Sequence, residues 1–140
     1  MNWAIYALLS AVFASLVAIF GKIGVKDVDS NLAVAIRTVI IVFFAWGVVL
    51  LQGNVSDISK ISKYSMTFIV LSALATGASW MFYYKALQLG EVARVAPIDK
   101  LSIVLTIILA FVFLAETPTL GKVLGGALVA AGVFVTIYVK

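Results

Sequence analysis

The amino-acid sequence predicts an all-α integral membrane protein, a bundle of five transmembrane helices forming one domain over residues 1–140. Hydrophobic residues make up 64% of the chain and charged residues only 11%, where a soluble domain carries roughly a quarter charged. Five stretches of about 20 residues are apolar on every face, the length that crosses a bilayer core, and lack the single stripe of a soluble helix. The polar residues gather in the short links between these stretches.

The first helix is expected over about 3–23. It has no basic segment before it and its apolar run is too long for the core of a secretory signal, so it reads as a span. The polar run Val25-Lys26-Asp27-Val28-Asp29-Ser30 turns the chain, with Asn31 as the candidate N-cap. Helix two follows over about 32–51 and stops at Gln52-Gly53-Asn54. The longest polar link reaches Ser65, and its Ile58, Ile61 and Tyr64 recur at the spacing of a short interfacial helix. Helix three covers about 66–89 and closes at Gly90. The run Leu101 to Ala115 rises only about 22 Å, short of a ~30 Å core, so helix four must start near Ala96 and take Asp99 and Lys100 about one turn inside. Pro97 then falls in the first turns, where a missing N–H is harmless. Thr117-Pro118-Thr119 makes a corner into helix five, about 120–138.

Composition excludes much chemistry. The chain has no cysteine and no histidine, which removes disulfides, thiol nucleophiles, histidine bases and the common zinc sites. No phosphate-cradling Gly-x-x-x-x-Gly-Lys-Ser/Thr loop is present. The net charge of +4 comes from single basic residues beside apolar runs, which is no nucleic-acid footprint. The sequence thus predicts no catalytic residue, no metal site, no cofactor and no nucleic-acid partner.

An odd number of spans puts the termini on opposite sides. Lys22, Arg37, Lys85, Asp99 and Lys100 all fall toward the side that holds the first link, called distal below, and Arg37 lies about 8 Å into helix two. Charges below the interface are costly and mark solute or ion pathways, whereas long basic side chains near helix ends can also reach up to the headgroups. Asp99 is too short for that, and its alternative role is as a partner of free N–H groups at a helix start. Two stripes suit a lined cavity: Gly77, Trp80 or Met81, Tyr84 and Gln88 on helix three, and Asp99, Ser102 and Thr106 on helix four. Such a lining holds an organic solute by stacking and a few hydrogen bonds, and a nearby Lys or Arg favours an anion. The same stripes also serve as plain packing. Asp99 and Lys100, facing Trp80 and Tyr84 with Lys85 as neighbour, are the expected polar end of a pathway. On helix five, Gly121, Gly125 and Gly132 allow close helix approach, either within the chain or between subunits. Glu116 sits where the dipole of helix four opposes it, unless it turns to the start of helix five as a corner lock.

From helix three onward the chain resembles the EamA domain of the drug/metabolite transporter superfamily. The resemblance rests on Tyr83-Tyr84-Lys85-Ala86-Leu87-Gln88-Leu89-Gly90, then Val95-Ala96-Pro97, Leu114-Ala115-Glu116 and Gly125-Gly126-Ala127-Leu128-Val129-Ala130-Ala131-Gly132-Val133. Lys22 and Arg37 look like the family's earlier landmarks, and Ile103 departs from it where many members carry proline. The resemblance implies half of a ten-helix, two-repeat transporter, completed by an antiparallel homodimer similar to the small multidrug resistance proteins or by another EamA-like chain. Inverted repeats supply both halves of an alternating-access path. Counting basic residues gives seven on the distal side (22, 26, 37, 85, 94, 100, 140) and three on the other (60, 63, 122). Dropping the three that lie deepest within helices, Lys22, Arg37 and Lys85, leaves four against three, compatible with insertion in both orientations. The expectation is a gradient-driven transporter of a small organic metabolite or drug in a prokaryotic plasma membrane. A non-transporting scaffold or accessory subunit is the rival. A lipid-acting enzyme would need facing carboxylates that Glu91, Asp99 and Glu116 are poorly spaced to give.

Overall fold

The computed structural model of the chain describes residues 2–139, all of whose regular structure is helical. The helices are α1 (Trp3–Gly24), α2 (Ser30–Gln52), α3 (Lys63–Leu89), α4 (Val92–Asp99), α5 (Leu101–Phe113) and α6 (Leu120–Tyr138), with a 3-10 helix over Asn54–Lys60. With α4 and α5 taken as one span over Val92–Phe113, five segments are long and apolar enough to cross a membrane. Large side chains such as Phe43 and Phe82 are 75% and 78% exposed. Contiguous exposed apolar surface of this kind is foreign to a soluble monomer and natural against lipid tails.

Local chemistry sets the helix ends. The Asn2 side chain accepts from the N–H of Ala4 to open α1. At α2 the cap is Asp29, two residues earlier than the expected Asn31: its Oδ1 accepts from the N–H groups of Asn31 and Leu32, both at 3.0 Å. A carboxylate there satisfies two free donors and complements the helix dipole, which an Asn side chain does less well. Gly53 ends α2 in the left-handed conformation at φ 73°, which only glycine adopts without strain.

Two compact units divide the chain, residues 1–89 and 90–140. In the first, α3 packs against both α1 and α2, and the 3-10 helix packs on α2. Ala18, Val25, Val34, Tyr84 and Leu87 are its buried hydrophobic side chains, and Ser30 is buried with them. In the second, α4, α5 and α6 pack on one another. Gly126 of α6 is buried, and a Cβ there would stand 3.4 Å from Cδ1 of Ile107 in α5. The close helix approach in this unit is therefore made at Gly126. At Gly121, Gly125 and Gly132 no atom of a neighbouring helix lies within 4 Å of where a Cβ would be.

The fourth span departs most from expectation. It starts at Val92, behind Glu91, whose carbonyl accepts from the N–H groups of Arg94 and Val95. Pro97 is therefore an interior residue of α4 and not a first-turn one. Its missing N–H and its ring interrupt the helix ladder. Three residues later the chain turns at Lys100, whose N–H donates to the Pro97 carbonyl at 3.0 Å, and α5 resumes at Leu101. The span also ends earlier, at Phe113, because Ala115 has a left-handed φ of 51°, a conformation that no L-residue continues as a helix.

Candidate functional site

Arg37 lies seven residues into α2, roughly 10 Å from its start. A guanidinium at that depth needs partners. On α3, Trp80 and Tyr84 stand four residues apart, one above the other on the face turned to α2. The Arg37 Cζ sits over both rings, 4.1 Å from the Trp80 centroid and 4.8 Å from that of Tyr84. Cation–π attraction is worth about 2 kcal/mol or more when water is excluded. Of the two sequence candidates for this stripe, Trp80 turns inward and Met81 is exposed.

Gly21 of α1 lets Tyr84 come close. A Cβ at Gly21 would meet the Tyr84 hydroxyl at 3.1 Å, its Cζ at 3.2 Å and Cδ1 of Leu87 at 3.3 Å. Tyr84 is thereby buried to 6% exposure, and its ring cannot swing away from the guanidinium without disturbing α1.

The rings satisfy the charge of Arg37 but none of its N–H groups. Its Nη1 is buried and has no hydrogen-bond partner, a state that costs more than the about 1–3 kcal/mol of an unmade neutral bond. Arg37 also lines a cavity of about 390 Å³, formed from α1 by Val17, Phe20, Gly21 and Gly24, from the following turn by Val28, from α2 by Ala33, Ile36, Arg37 and Ile40, and from α3 by Tyr84. That volume is near the lower end of the about 300–1,000 Å³ that holds small ligands. Its walls are apolar apart from Arg37 and Tyr84.

One turn beyond, α1 and α3 are latched at their C-terminal ends. Lys22 donates from Nζ to the Leu87 carbonyl at 2.5 Å. Gln88 Nε2 donates to the carbonyls of Val25 and Val28 at 3.2 and 3.0 Å, while its Oε1 accepts from Lys85 Nζ at 3.2 Å. These bonds occupy carbonyls that a helix end otherwise leaves open. A second cavity of about 550 Å³ adjoins the latch, lined by Lys22, Ile23, Val25, Lys26 and Gln88.

The structure thus brings Arg37, Trp80 and Tyr84 together, and it gives Lys85 a partner in Gln88. In the second unit, Lys100 pairs with Asp99 at 3.2 Å, and Ser102 and Thr106 lie on the exposed side of α5. Glu116 accepts from Lys122 Nζ at 2.9 Å across the corner between α5 and α6. Among the described residues no three Asp or Glu side chains gather as metal ligands do. Sequence reasoning missed Gly21 and the latching role of Lys22. The nearest signal for Gly21 was its place one residue before Lys22, at a helix end lined with glycines.

No solved structure matches the chain. It is 47% identical over 131 residues, 94% of this chain and 93% of the relative, to a Sinorhizobium protein described as an uncharacterized transporter in the cobO 3' region. It is 27% identical over 99 residues, 64% of this chain and 72% of the other, to an uncharacterized protein of Methanocaldococcus jannaschii. The model of the EamA-like transporter family matches residues 1–138. Five apolar spans, a charged aromatic centre inside the first three of them and a family match running nearly end to end agree, and the chain belongs to the EamA-like transporter family.

Proposed function

We propose that this chain carries a small organic solute across a prokaryotic plasma membrane, driven by a gradient, with Arg37, Trp80 and Tyr84 as the solute-contacting centre of the first unit. The carrying observation is the Arg37 guanidinium, stacked on two rings with Nη1 unpaired beside a small apolar cavity. A scaffold needs no buried, unsatisfied cation, and such groups inside membranes persist where they do work. Catalysis is a poorer fit, since the centre offers no nucleophile with a base beside it.

Five helices supply one repeat of a pathway that alternating access builds from two. The open face of α6 at Gly121, Gly125 and Gly132 supports close approach of a partner helix. The partner is a second, oppositely inserted copy or another chain of the family. A mass-spectrometric screen tests the transport reading directly. Vesicles containing only this protein are incubated with a metabolite extract, and at least one small organic solute should accumulate above protein-free vesicles in a saturable way. Equal contents in the two vesicle sets would favour the scaffold reading.

A further inference from the structure

Resting on the reading of Arg37 as the solute site, we propose that the solute is a compact monocarboxylate with an apolar body. The cavity beside α1 and α2 takes the body, and the carboxylate pairs with the Arg37 guanidinium that lines it.

Charge is the first argument. A guanidinium brings a delocalised positive charge, and no acid among the described residues pairs with it. Asp29 is engaged at the start of α2 and Asp57 pairs with Lys60. The aromatic faces of Trp80 and Tyr84 attract the plane of the cation but accept no hydrogen bond in that plane. An uncompensated charge roughly 10 Å below a helix end is strongly disfavoured. A carboxylate answers both deficits at once, offering negative charge and acceptors at about 2.7–2.9 Å.

Count and size restrict the class further. Arg37 is the one cation in the cavity lining, because Lys22 and Lys85 donate to the Leu87 carbonyl and the Gln88 side chain. A second anionic group would have to rest against Val17, Phe20, Ile36 or Ile40. One acid group is accommodated, and the remainder of the molecule must be apolar. The volume of about 390 Å³ admits a single ring or a short branched chain.

Trp80 supplies the readout. The protein has three tryptophans, so Trp3→Phe with Trp46→Phe leaves Trp80 as the sole emitter. In lipid nanodiscs, cyclohexanecarboxylate should change the Trp80 emission saturably. The isosteric cyclohexanecarboxamide should bind at least tenfold more weakly, and cyclohexylmethylamine should not bind. Arg37→Gln should abolish the response. Arg37→Lys, which keeps the charge but loses the planar fork, should weaken it about tenfold. Equal binding of amide and carboxylate, preference for the amine, or an unchanged titration in Arg37→Gln would overturn the proposal.

Flux separates this inference from the transport reading. Saturable, Arg37-dependent binding of the carboxylate without its entry into vesicles would uphold the site and sink transport of it. Entry of other solutes in an Arg37-dependent way, with no carboxylate binding, would overturn the substrate class alone.

Discussion

At the scale of single residues, the site depends on a side chain that is absent. Gly21 leaves room for the Tyr84 hydroxyl, and an added methyl would press on it at 3.1 Å. We expect Gly21→Ala to destabilise the protein by about 1–3 kcal/mol, as overpacking does. In the Tyr84→Phe background, which removes the nearest atom, the same change should cost less. Thermal unfolding of the four proteins followed by circular dichroism measures this coupling, and strictly additive effects would contradict the crowding account. Arg37, Trp80 and Tyr84 could each be singled out in the sequence by depth or helical spacing. Their mutual partnership could not. Helical periodicity fixes which residues share a face of one helix, whereas the pairing of α2 with α3 depends on packing between segments distant in the chain. Asp99, chosen for its depth, has Lys100 beside it, a contact that sequence adjacency alone provides.

At the scale of elements, the ends of the helices carry the polar chemistry. Lys22 is the strongest case, since its ammonium bonds the Leu87 carbonyl in the last turn of α3 at 2.5 Å. Lys22→Met keeps much of the apolar stem and leaves that carbonyl without its donor. A loss of about 2 kcal/mol is expected, the worth of a bond to a charged group, and a melting temperature equal to wild type would exclude the latch. The corner between α5 and α6 should be more tolerant. Glu116 and Lys122 are 47% and 40% exposed, so Glu116→Gln should cost less than about 1 kcal/mol and leave the pH dependence of solute flux unaltered. A shifted pH profile would give Glu116 a coupling role instead. Span positions were legible in the sequence because apolar length is a strong signal. The break at Lys100 was harder to read, since a count back from Ala115 placed the start of the span four residues late and so moved Pro97 from the helix interior to its first turn.

At the scale of the whole molecule, the near balance of basic residues between the links of the five spans is compatible with insertion in both orientations. The chain has no cysteine, so a single one placed at Asn54, exposed just beyond α2, is a clean topological reporter. A homodimer of opposite copies predicts labelling by an impermeant maleimide from both membrane faces, and labelling from one face alone would exclude it. Fold class and family were legible because they follow from hydropathy and from motifs spread over the chain, whereas a solute leaves no such periodic trace. Flux in vesicles containing only Arg37→Gln or only wild-type protein, at equal and verified insertion, decides whether the Arg37 centre passes a solute. Saturable entry is expected with wild type and a loss to the protein-free rate with Arg37→Gln, while entry at the wild-type rate through Arg37→Gln would remove Arg37 from the solute path.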